Sequence, residues 1–124
     1  MHDRQEFARF VAEQMQGAGL GTVTLRRMFG GHGLYCDGLF IAILTGEQLY
    51  FKADAQTQAA FEAHSLQRFS YSARGKPVHL MYYEAPAEVF DEVPAMRHWG
   101  RLALEAAVRA RKPARSTTPR RAAR

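Results

Sequence analysis

Between Thr22 and Lys52 the chain is cut into short β-branched and aromatic runs by turn residues, a pattern that strands joined through hairpins satisfy and little else does. Strands are expected at 22–28, 33–36, 39–45 and 48–52. Asp37-Gly38 is the strongest local signal, because both central residues of a type I′ turn need positive φ. Gly46-Glu47 suits a type II′ turn, so the third and fourth strands should pair antiparallel. Leu49 and Phe51 alternate with Tyr50 and Lys52, which gives the fourth strand one buried face and one wetter face.

Helices frame this strand region. Asp3 and Glu6 have capping-box spacing, and Phe7, Phe10, Val11 and Met15 then recur on one face of a helix of about 13 residues. Gly17 is placed to close it in the left-handed conformation. Asp54 is positioned to cap a second helix, Ala55 to about His64, anchored by Phe61. Phe69–Ser72 and Val78–Tyr83 form two more strands around an Arg74-Gly75 turn, ending near Pro86. Pro94 opens a last helix to about Arg111, with Met96, Trp99, Leu102, Ala103, Ala106 and Ala107 on or near its apolar face. At 124 residues this makes one domain of class α+β: an antiparallel sheet of about six strands packed by N-terminal, middle and C-terminal helices.

The net charge of +5 belongs to one end. Residues 1–108 hold ten basic side chains against all twelve acids, a net of −2. Arg109, Arg111, Lys112, Arg115, Arg120, Arg121 and Arg124 supply +7 with no acid among them. Residues 1–111 are thus expected to form the domain and 112–124 a basic, disordered tail, since the tail has no large apolar side chain to bury. The seven cations from Arg109 to Arg124 are the candidate nucleic-acid contacts, and they would bind phosphates without reading sequence. The longest apolar run, Leu39 to Leu44, cannot span a bilayer, and a lone Cys36 suits a reducing compartment, so a cytoplasmic location is expected.

Arg27-Met28-Phe29-Gly30-Gly31, Gly33-Leu34-Tyr35, Asp37-Gly38, Phe40-Ile41-Ala42 and Leu49-Tyr50-Phe51-Lys52-Ala53-Asp54, in that order, closely resemble the N-terminal domain of the TfoX/Sxy competence regulators. Phe61, Phe69-x-Tyr71, Lys76, Met81-x-Tyr83, Pro86, Val89 and Trp99 continue the pattern, so the resemblance covers roughly residues 4–108. It implies a secretion-chaperone-like α+β fold. It also implies a regulator that promotes expression of DNA-uptake genes, apparently by assisting the cyclic-AMP receptor protein, with a protein partner and no catalytic act. Full-length members of that family carry a further C-terminal helical domain; with a basic tail in that place, a stand-alone N-terminal-domain protein is expected here. The signature residues Arg27, Met28, Phe29, Gly30, Gly31, Gly33, Tyr35, Asp37, Gly38, Lys52 and Trp99 are expected to build the fold.

Motif chemistry points the same way. Gly30-Gly31-His32-Gly33 lacks the Lys-Ser/Thr ending and following helix of a phosphate loop. The glycines at 17, 19 and 21 follow a helix instead of the strand that a dinucleotide fingerprint needs. His32 and Cys36 on one strand would lie about 13 Å apart, too far to share a metal ion. His79 and His98 have no partner at ligand spacing, and the acidic residues Glu84, Glu88, Asp91 and Glu92 read as solvated surface. No nucleophile elbow, paired-histidine zinc motif or Cys-x-x-Cys occurs. Tyr35, Tyr50, Tyr71, Tyr82 and Tyr83 are read as core residues with hydroxyls at the rim, in preference to a base-stacking platform. No metal, cofactor or catalytic residue is therefore assigned. The alternatives are a peptide-binding or self-associating module, with a homodimer as one form. An enzyme is the other alternative, and it would need a pocket lined by groups such as His79, Tyr83 and Glu84.

Overall fold

The computed structural model describes the backbone of residues 4–28 and 30–116 and the side chains of residues 5–28 and 30–111. Helix α1 spans Arg4–Gly17 and is followed by four strands: β1 (Val23–Met28), β2 (Gly31–Cys36), β3 (Leu39–Thr45) and β4 (Gln48–Lys52). Helix α2 (Gln58–Ala63), the hairpin β5 (Arg68–Ala73) and β6 (Lys76–Glu84), a 3-10 turn at Ala87–Phe90 and helix α3 (Val93–Ser116) complete the chain. The six strands form one antiparallel sheet in the order β1-β2-β3-β4-β6-β5. This is the α+β architecture expected from the sequence.

The Asp37-Gly38 turn has φ of 51° and 84°, as a type I′ hairpin demands. Asp37 also ties β1 to the hairpin: its Oδ1 accepts the Thr22 N–H at 2.9 Å, and its own N–H donates to the Thr22 carbonyl at 2.8 Å. Across the ladders, Leu25, Leu34, Ala42, Phe51 and Tyr83 are successive partners, so one line of apolar side chains crosses five strands on one face. The core forms there, because Ala8, Val11 and Met15 of α1, Phe61 of α2, and Met96, Trp99 and Ala103 of α3 all join it. Each large side chain so buried contributes about 1.5–3 kcal/mol.

Several local expectations shift. Gly17 stays helical and Gly19, at φ 79°, makes the left-handed turn, because Ala18 and Gly19 donate back to Met15 and Gln16 and tighten the last turn first. The buried stripe of α1 is Ala8, Val11, Met15 and Ala18, which leaves Phe10 42% exposed on its flank. Asp54 closes a turn before the helix instead of capping it: its Oδ1 accepts the N–H groups of Gln56 and Thr57, Thr57 Oγ1 accepts the Asp54 N–H at 3.0 Å, and Thr57 takes the N-cap position. Regular helix begins only at Gln58 after a turn. Helix α3 runs five residues past the expected end, since extending an existing helix needs no new nucleus. The Asp3 cap, Phe29 and residues 117–124 of the expected tail lie outside the described residues.

Candidate functional site

The signature residues divide between framework and surface. Gly31 lies so close to β3 that a Cβ there would drive into the Leu44 carbonyl oxygen, and a Cβ on Gly33 would meet the Phe40 ring at 2.8 Å and the Met28 methyl at 3.0 Å. Asp37 and Gly38 make the hairpin described above. Trp99 sits in the core against Phe61 and the rings of His64 and His98, with centroids 5.0–5.1 Å apart. Arg27 pairs in register with His32, whose imidazole is pushed below its usual range by burial and then by the Arg27 charge. These positions lie in the sheet, its turns and the helix-side core.

Met28, Tyr35 and Lys52 do something else. They stand on the sheet face opposite the helices, where Tyr35 stacks on Phe40 at 5.0 Å and Phe40 meets Tyr82 at 5.9 Å. A cation flanks each end of this row: Arg26 Cζ lies 5.5 Å from the Tyr35 ring and Lys52 Nζ 5.3 Å from the Tyr82 ring. A second group follows, with Tyr50 edge-on to Phe69 at 4.8 Å and Phe69 6.2 Å from Tyr71. Burial, with Tyr35 nearby, raises the Tyr82 phenol to about 12, so it stays a neutral hydrogen-bonding group in the physiological range. Of the five tyrosines read as core residues, Tyr83 alone packs in the helix-side core, stacked on Phe61 at 5.3 Å. Its hydroxyl donates to Glu62 Oε2 at 2.7 Å and accepts from Gln58 Nε2 at 3.0 Å. Strand alternation carries this distinction, and a one-residue difference between Tyr82 and Tyr83 decides the face.

A second surface lies beside α1. The rings of Phe7, Phe10 and Phe90 form a triangle with centroids 6.1–6.2 Å apart, next to a cleft of about 390 Å³ lined by Glu6, Phe7, Phe10 and Glu47. Sequence reading placed Phe7 and Phe10 on the apolar face of the helix but had no signal for Phe90. The four-residue 3-10 turn that delivers it is too short to show periodicity.

The remaining candidates come apart. Arg109 belongs to the fold: its Nε and Nη2 donate to Asp54 Oδ2 and Oδ1 at 2.7 and 3.0 Å, a bidentate pair that joins α3 to the end of β4. The guanidinium holds the Asp54 carboxyl below its ordinary range. Arg111 is exposed, while the side chains of Lys112, Arg115, Arg120, Arg121 and Arg124 lie outside the described residues. Tyr83 and Glu84 point to opposite faces of β6, so they line no common pocket with His79. Among the described residues no three His, Cys, Asp or Glu side chains converge on a metal position, and no helix is long and apolar enough to cross a membrane. Cys36 is buried, which, with Asp37 beside it, raises its thiol.

A family model described as the TfoX N-terminal domain matches residues 13–107. The chain is 28% identical over 94 residues to DNA transformation protein TfoX1 of Aliivibrio fischeri, covering 76% of this chain and 42% of that protein. It is 26% identical over 114 residues to protein Sxy of Escherichia coli, covering 92% of this chain and 54% of that one. The chain thus spans about half the length of the curated relatives it matches.

Proposed function

The chain belongs to the TfoX N-terminal domain family, and from that premise we propose that it is a non-catalytic regulatory domain of DNA transformation that acts by docking a protein partner. The Phe7–Phe10–Phe90 triangle carries this reading. A soluble domain that keeps three phenylalanines together at its surface, one of them 42% exposed, beside a cleft of about 390 Å³, has the aromatic anchors of an interface core. The partner is a component of the transcription machinery, and the cytoplasm is where the two meet. The basic segment adds sequence-blind attraction to nucleic acid. With Arg109 engaged by Asp54, at most six of its cations are left for phosphates, a salt slope no steeper than about −5 on duplex DNA.

The test is transformation frequency in cells supplied with the wild-type chain or with Phe10→Ser. Phe10 lies outside the buried stripe, so the variant should keep its melting temperature and lose the activity. Undiminished transformation by a folded Phe10→Ser chain would remove this surface from the account. Deleting residues 112–124 should flatten the salt dependence of duplex binding.

A further inference from the structure

From the aromatic face of the sheet we infer that this protein has a binding site for single-stranded nucleic acid, separate from the partner surface and from the basic segment. Four features carry it. All three helices pack on the other face, so the rings of Tyr35, Phe40, Tyr82, Tyr50, Phe69 and Tyr71 form a layer covered by no described helix. The layer reaches across the sheet from β2 to β5, about 19 Å at the spacing of neighbouring strands, which is the scale of several nucleotides. Its charge is opposite to that of the body: the register places Arg26, Lys52 and Lys76 on this face against Glu84, whereas residues 1–108 as a whole carry −2. Finally, Arg26 and Lys52 sit over rings at the two ends of one row, which puts a phosphate-binding cation at each end of the aromatic layer.

An acidic protein surface would satisfy the cations but would not use flat π-faces. A second copy would set like charges against each other. A single strand offers both phosphates and unstacked bases. A duplex would present phosphates only, because its bases are already stacked. The occupant favoured by rings and charges together is therefore unpaired nucleic acid, bound with little sequence preference, since every base has a π-face. In this site Tyr71, 47% exposed, offers an open ring and the half-buried Tyr35 receives a base as the flexible Arg26 beside it swings to the phosphates, while the buried Tyr82 supports the row from beneath Lys52.

The experiment is fluorescence anisotropy of a labelled short oligothymidylate, and of a duplex of equal length, titrated with the full chain and with Tyr71→Ala, Lys52→Gln and Arg26→Gln/Lys52→Gln. The expected result is tighter binding of the single strand than of the duplex. Tyr71→Ala should weaken single-strand binding by about 5- to 150-fold, the range for one lost base–aromatic stack. Lys52→Gln should flatten the single-strand salt slope by about 0.7. Tyr71→Ala should leave duplex binding unchanged, and Phe10→Ser should leave single-strand affinity intact, which separates this site from the proposed partner surface. Tyr71 and Lys52 are solvent-accessible, so the variants should fold, and a melting curve checks that they do. Single-strand affinity that the face variants do not move would assign all binding to the basic segment and overturn the inference. So would absence of single-strand binding by the full chain.

Discussion

Three glycines of the signature, Gly30, Gly31 and Gly33, should respond to the same substitution by very different amounts. Gly30 has φ 66° with open space around its virtual Cβ, so Gly30→Ala meets only the left-handed backbone penalty, about 1 kcal/mol. Gly33→Ala meets the Phe40 ring edge at 2.8 Å and the Met28 methyl at 3.0 Å. Both are side-chain atoms that can swing aside, at about 1–2 kcal/mol of overpacking. Gly31→Ala meets backbone: the Leu44 carbonyl oxygen, with the Leu44 carbonyl carbon and Thr45 Cα both at 3.2 Å. Relief requires β2 and β3 to separate where Gly31 faces Thr45 and His32 faces Leu44. Losing two ladder hydrogen bonds at about 1 kcal/mol each, on top of residual strain, brings the cost to about 3 kcal/mol or more. Urea unfolding followed by circular dichroism should give the order Gly31, Gly33, Gly30 from most to least destabilised, with Gly31→Ala melting about 10 °C or more below wild type. A Gly30→Ala variant as damaged as Gly31→Ala would refute the reasoning, because it would make backbone conformation, and not the approach of β3, the reason for the glycine pair.

Two further outcomes follow from buried polar groups. Tyr83→Phe removes a hydroxyl that bonds both Glu62 and Gln58 and should cost about 1–2 kcal/mol, read as a fall in urea midpoint at constant slope; a loss below a few tenths would show that those exposed partners gain as much from water. His32 is held below its ordinary value of 6.5, so between that value and its lowered folded value the unfolded chain binds more protons, and stability should fall as pH drops through this window and then level off. An NMR titration placing the His32 ring above 6.5, or a His32→Asn variant with the same pH slope as wild type, would contradict the assignment.

The hairpins were legible because their turns carry chemistry of their own: Asp37, Gly38 and Gly75 adopt the positive φ that aspartate and glycine tolerate. The strand order was not, since nothing local tells β6 to insert between β4 and β5. The long-range line of Leu25, Leu34, Ala42, Phe51 and Tyr83 decides that order. The face that each tyrosine takes was not legible for a related reason. A tyrosine in a strand is half-apolar on either side, and only the register showed that Tyr82 and Tyr83 part company there. Arg109 was counted among the candidate nucleic-acid contacts because charge was summed along the chain, whereas its partner Asp54 lies far away in sequence.

The insertion of β6 beside β4 has a consequence for how the polypeptide assembles as it emerges from the ribosome. Strands β1 to β4 form a meander of neighbours in sequence and can zip up early, leaving the outer edge of β4 as an unpaired template. That edge is capped only when the later hairpin arrives as a preformed unit, joining through Tyr50–Glu84, Phe51–Tyr83 and Lys52–Tyr82. Any nascent chain that stalls before Glu84 therefore displays an adhesive strand. The β5–β6 hairpin is thus what closes the β4 edge of the first four strands to other copies of the chain.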